Sequence, residues 1–159
     1  MGMLSIVIAF GIRLMLVLLF LPFSALDKLL EFNNAVGQAK QAVNSLPLAR
    51  GLIVIGFCVE LFMSAAILTG VADRAGAFIL AGYCVVTALL WKQFWRPGDF
   101  WSRGDSKARG LFWDFWKNVA LAGGFLLISF GTTAATVGQF FAAPLGSSQP
   151  YAVVQANTP

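Results

Sequence analysis

The chain has 159 residues, 58% of them hydrophobic and 11% charged, with a formal net charge of +4. Water-soluble domains carry about 25% charged residues, so this balance sends apolar surface into lipid rather than into a water-shielded core. The basic residues stand in the connections between apolar runs and form no single patch, which sets nucleic-acid binding aside and points to membrane orientation.

The first apolar run, residues 3–26, has no positive charge before it and is longer than an ordinary signal-peptide core. It reads as an uncleaved transmembrane helix, although Ser24-Ala25-Leu26 has a weak likeness to a cleavage site. Pro22 lacks an amide donor and should kink or end the helix locally. Between Asp27 and Pro47, Phe32, Val36, Ala39, Val43 and Leu46 recur at three- and four-residue steps, while Asn33, Asn34, Gln38, Lys40 and Gln41 take other faces. That period predicts an amphipathic helix, either lying in the membrane interface or capping the bundle. A second apolar run, residues 48–68, is long enough to cross a hydrocarbon core of about 30 Å and carries Glu60 near its middle. The short polar turn from Thr69 to Arg74 then makes a third span, residues 75–91, its antiparallel neighbour.

The second long connection holds Lys92, Arg96, Arg103, Lys107 and Arg109. All five tryptophans (Trp91, Trp95, Trp101, Trp113 and Trp116) lie in or beside it, at the headgroup level that an amphipathic ring prefers. A fourth span is expected over residues 115–137. There Ala120 with Gly124, and Gly131 with Ala135, set small residues four apart for close helix approach. Residues 144–159 have no charged side chain and no helical period, and are expected to be a disordered tail. The expected fold is all-α: one domain over residues 1–143, a four-transmembrane-helix bundle with an amphipathic interfacial helix between the first and second spans. The positive-inside rule puts both long connections in the cytoplasm of a bacterial-type inner membrane, and both termini outside.

Chemistry is scarce in these spans. The absence of histidine removes imidazole-ligated haem, the usual zinc sites and histidine acid–base catalysis, and no cofactor or metal ligand set can be named. Arg13 and Glu60 are the deep ionisable pair. Counted from Leu26 and Leu48 at 1.5 Å per residue, both fall about 18–20 Å from one face, and opposite charges at one depth should pair. The pair either fixes helix register or forms a proton or quinone-headgroup site, and without His, Asp or Tyr neighbours it would make a poor relay. Lys28 and Lys117 fall at the cytoplasmic ends of the first and fourth spans, where they snorkel to the headgroups, pair locally with Asp27, Glu31 and Asp114, or form a cationic rim for an anionic partner. Cys58 and Cys84 are at similar depth and read as small apolar residues, because hydrocarbon suppresses thiolate character.

Taken in order, these pieces resemble the DoxX family of small four-helix membrane proteins. The matching stretches are Arg13-Leu14, Leu19-Phe20-Leu21 and Ser24-Ala-Leu-Asp-Lys28-Leu29, then Glu60. Leu68-Thr-Gly70, Arg74, and Phe115-Trp-Lys-Asn118 leading to Gly123-Gly124 complete them. Ala25 stands where a glycine is common, and Lys92 near where a histidine often ends the third helix. The resemblance implies a single four-helix bundle, Arg13, Lys28 and Glu60 as characteristic polar positions, and a link to respiratory or thiol-redox complexes.

Three functions follow as expectations. The first is a non-catalytic accessory or anchoring subunit of a membrane-bound oxidoreductase complex, with lipids and partner subunits, or further copies of itself, as neighbours. The second is a quinone-interacting redox protein using Arg13 and Glu60. The third is a small transporter, which four helices without inverted halves would achieve only as a dimer.

Overall fold

A computed structural model describes residues 2–40 and 43–152; Gln41 of the amphipathic stretch and the last part of the tail, residues 153–159, lie outside the described residues. Seven α-helices follow in order: α1 Gly2–Val17, α2 Ala25–Leu30, α3 Phe32–Ala39, α4 Leu46–Thr69, α5 Asp73–Trp91, α6 Lys107–Phe130 and α7 Ala134–Ala142. Among the described residues there is no strand. Among the described residues four helical stretches are long and apolar enough to cross a membrane: Gly2–Leu30, Leu46–Thr69, Asp73–Trp91 and Lys107–Phe130.

The first of these is broken. Pro22 disfavours helical backbone in the residue before it, and Leu21 is accordingly extended, with φ −123° and ψ 111°. Helix then resumes as α2 and turns into α3. The amphipathic stretch is helical over Phe32–Ala39, and its buried Val36 and Ala39 pack on Ala49 of α4, with Ile53 and Trp91 alongside. The Trp91 indole N–H donates to the Gln38 carbonyl at 3.2 Å, which ties α3 to the end of α5.

Around the four spans, large apolar side chains face outward on every helix, from Met3 and Val7 through Ile55, Phe62, Val86 and Leu127. Such a continuous exposed apolar surface belongs in hydrocarbon. The packed core is small by comparison: Val17, Phe20, Ile67, Ala77, Leu80, Ala81, Cys84, Ala122 and Phe125. Phe20 sits at its centre, with its ring centroid 5.7 Å from Phe125 and 6.2 Å from Tyr83.

The fourth span differs from expectation at both ends. It begins at Lys107, where the Ser106 hydroxyl accepts from the Arg109 amide at 3.2 Å. Its first turns therefore carry the charged residues that had been read as connection. It ends at Gly131, whose φ of +67° suits glycine and where an added Cβ would lie 2.5 Å from the Thr136 hydroxyl. Thr133 and Thr136 then form a capping box that starts α7. Gly131 and Ala135 thus mark a helix break rather than a packing face. Gly124 does serve close approach: a Cβ there would meet Leu16 of α1 at 3.0 Å.

The tail also differs. Ser148 and Tyr151 dock back onto the α4–α5 turn, with the Tyr151 hydroxyl donating to the Leu68 carbonyl. Hydrogen bonds to buried partners supply what composition alone did not reveal, so residues 144–152 belong to the folded unit.

Candidate functional site

The buried charges form two separate clusters. Glu60 does not meet Arg13. Its carboxylate, 1% exposed on α4, accepts both-oxygen hydrogen bonds from the Lys28 ammonium at 2.7 and 2.8 Å. The Tyr83 hydroxyl of α5 donates to the same carboxylate at 2.8 Å, and the Ser24 hydroxyl at 3.1 Å. The third ammonium proton of Lys28 goes to the Ser24 oxygen at 2.6 Å. Gly56 makes this assembly fit, because a Cβ at that position, one turn before Glu60, would lie 3.2 Å from the Tyr83 hydroxyl.

Arg13 instead pairs with Asp73 at the first residue of α5, at 2.7 Å. It also donates to the Ile67 carbonyl at 2.6 Å and to the Ser148 hydroxyl at 2.7 Å. Asp73, fully buried, accepts from the Ser148 amide at 2.8 Å and from the Ser148 hydroxyl at 2.5 Å.

The expected Arg13–Glu60 pair therefore fails, for a geometric reason. Arg13 stands level with Ile67, seven residues beyond Glu60, or about 10 Å along a helix. Matching depths had been counted as though the chain turned back at Leu26. In the structure α2 and α3 continue past that point, so the level of Glu60 corresponds to Ser24 and Lys28. Lys28 is consequently no rim residue: it turns inward, while Lys117 stays 73% exposed with its ammonium 3.6 Å from Asp114. Asp114 also pairs with Lys92, at 3.1 Å. Cys58 and Cys84 are free thiols, Cys84 buried.

Asp73, Tyr83, Ser24 and Ser148 are the partners that sequence reasoning missed. Tyr83 and Asp73 supply the neighbours whose absence had argued against a relay. A signal existed for Asp73: it is the one acid in the tight turn between the second and third spans, and so a second candidate partner for Arg13 beside Glu60. Ser148 carried no such signal.

A cavity of about 550 Å³ opens beside the Lys28–Glu60 cluster. Lys28, Ser24 and Tyr83 reach its surface with Glu60 behind them, and Asp27, Glu31, Gln38, Thr87 and Lys92 add polar groups. Apolar side chains complete the lining, among them Ile55, Val86 and Leu90, which are also exposed on the outer apolar surface.

Outside the spans, the long loop is firmly built. Asp99 accepts from the Lys107 and Ala108 amides at 2.8 and 3.0 Å, capping α6 from outside the helix. Desolvation alone would push its carboxyl up; the amide donors of Ala108 and Lys107 outweigh that and hold it below the ordinary aspartate value. Arg109 donates to the carbonyls of Phe100 at 2.9 Å and Ser102 at 2.7 Å, and to that of Gly104.

Four apolar helical stretches, an outward apolar surface and two ion pairs buried between the spans define a small multi-pass helical membrane protein. The DoxX family profile matches residues 8–93, just over half of the chain, and the protein belongs to the DoxX family. No curated protein and no solved structure matches it. The matched region holds both buried ion pairs, whereas α6, α7 and the docked tail lie beyond it.

Proposed function

We propose that this protein receives the polar head of a quinone-type amphiphile in the cavity beside Lys28 and Tyr83, as the membrane component of an oxidoreductase complex. The observation that carries the reading is the mixed lining of the cavity: polar groups around Lys28 and Tyr83 together with the apolar side chains Ile55, Val86 and Leu90, which are also exposed on the outer surface. Its volume lies within the roughly 300–1,000 Å³ typical of small-molecule sites. A flat head group with carbonyl oxygens would find donors in Thr87 and Gln38, and its tail would leave between α4 and α5. Lys28 and Tyr83 at the cavity surface are hydrogen-bonded to Glu60 behind them, a network able to exchange protons with such a head group. The electrons would come from a partner subunit.

A role as accessory subunit is supported by the second long connection. Asp99 and Arg109 hold that loop in one shape while Trp101 stands 91% exposed on it, a rigid aromatic surface for a partner or for headgroups. In the same reading the loop faces the cytoplasm, both termini face the other side, and α3 lies at the interface of a bacterial-type inner membrane.

The test is a titration of the detergent-solubilised protein with a short-tailed benzoquinone. One saturable site per chain is expected, and Thr87→Phe, which removes a donor and puts a ring into the cavity, should weaken it strongly. Non-saturable partitioning, equal in wild type and Thr87→Phe, would overturn the quinone assignment. The accessory role predicts co-purification of a flavin- or haem-bearing partner after gentle extraction, and a chain that always emerges alone would refute it.

A further inference from the structure

A second cavity lies at the opposite end of the bundle, where the tight turn, the end of α7 and the docked tail meet. Its volume is about 540 Å³, and Arg74, Gln139, Ser147 and Gln149 line it together with the small residues Ala142 and Gly146. No acidic side chain is among those lining it. Arg74 is the second residue of α5, and the carboxylate beside it in sequence, Asp73, is consumed by Arg13 and Ser148. The Arg74 Nε atom is buried and has no acceptor among the described residues. The backbone of Arg74 is held in place, because its carbonyl accepts from the Ser129 hydroxyl at 2.9 Å.

That Nε has no accessible surface, so an anion in the cavity would be held by the terminal Nη groups, which make no hydrogen bond or ion pair among the described residues. We infer that this cavity binds a phosphate-type oxyanion, with the Arg74 guanidinium as its principal donor and Gln139, Ser147 and Gln149 as supporting donors. Arginine suits this role because its planar fork matches two oxygens of one tetrahedral anion. The position restricts the anion further. Arg74 stands at the start of a span, the end that a membrane-crossing helix presents to the headgroups, and the cavity is many times the roughly 30 Å³ share of one water molecule. A phosphodiester headgroup would therefore fit, and a free phosphate would satisfy the same donors. The site is distinct from the cavity at Lys28, and its failure would leave the quinone reading untouched.

The experiment uses the full-length protein and two probes. Native mass spectrometry in micelles doped with phosphatidylglycerol or phosphatidylcholine reads lipid retention; thermal unfolding with inorganic phosphate, at ionic strength matched with chloride, reads the free anion. Retention of one phospholipid, reduced at least tenfold in Arg74→Gln, supports the site with a lipid headgroup as ligand. A phosphate-specific rise in unfolding temperature, absent in Arg74→Gln, supports it with the free anion as ligand. A second variant, Ala142→Glu, places a carboxylate in the cavity opposite Arg74 and should abolish both signals while the chain stays folded. Absence of both signals in wild type, or equal signals in wild type and Ala142→Glu, would overturn the assignment.

Discussion

The two buried ion clusters use the same chemistry for different ends. At the tight-turn end, Arg13 and Asp73 are enclosed by the Ile67 carbonyl and by Ser148 of the returning tail, which stands between both charges and the second cavity. At the other end, Lys28 and Glu60 are joined by Tyr83 and Ser24, and three of these four side chains line a cavity. A sealed pair can only hold helices in place. A pair with one side open to a cavity can also respond to what enters it, so an ionisable residue in a span is a functional candidate according to what it faces, not its depth.

The sharpest way to break this contrast is at the sealed pair. Asp73→Leu leaves the Arg13 guanidinium without its carboxylate and should destabilise the protein by about 3–5 kcal/mol, read as a lowered unfolding midpoint in detergent. Adding Arg13→Leu should recover much of that loss. Arg13→Leu and Glu60→Leu should combine additively, and a coupling between them well above ~0.5 kcal/mol would contradict two separate clusters. Next in size is the open pair. Glu60→Gln keeps the shape and an acceptor but loses the charge opposite Lys28, which can turn toward the cavity and the Asp27 and Glu31 carboxylates. A cost of about 1–3 kcal/mol is expected, together with weaker binding of the short-tailed benzoquinone. Loss of stability with unchanged binding would make this cluster structural as well.

Smaller still is the seal itself. Ser148→Ala removes hydroxyl bonds to Arg13 and Asp73 but keeps the amide bond to Asp73, so about 1–2 kcal/mol should be lost, with faster amide exchange in the tail. The smallest effect lies outside both clusters. Because the Asp99 carboxyl is held below its ordinary value, the contribution of its charge is complete above the unfolded aspartate pKa of about 3.9 and is lost as pH falls through the lower folded value. Tryptophan fluorescence from the loop should therefore stay constant down to about pH 4 and change only below it. Asp99→Asn should flatten that response; a transition near neutral pH would rule out Asp99 as its source.

Four spans were legible because hydropathy and length act over about twenty residues, and local errors average out. The partners of Arg13 and Glu60 were not legible, since pairing depends on helix register, and register was altered by the break at Leu21 and by two short helices that a loop count treats as empty distance. The fourth span was misplaced for a related reason. An apolar window finds where lipid contact begins near Phe115, but a helix begins at its cap, and Ser106 with Asp99 sets that point earlier. Docking of the tail was hidden because single serine and tyrosine hydroxyls act through position, and position appears only when the ends of the chain are brought together.

That docking also sets an order of events during synthesis. Glu60 follows Lys28 by 32 residues, so the open cluster can close while the chain is still being made. Ser148 follows Arg13 by 135 residues, which at 5–20 residues per second is a delay of ~7–27 s. Throughout that interval Arg13 is in or at the membrane without its full set of acceptors. Newborn chains stalled before α7 should accordingly keep their first helix accessible to the insertion machinery, and release from it should coincide with the arrival of the tail.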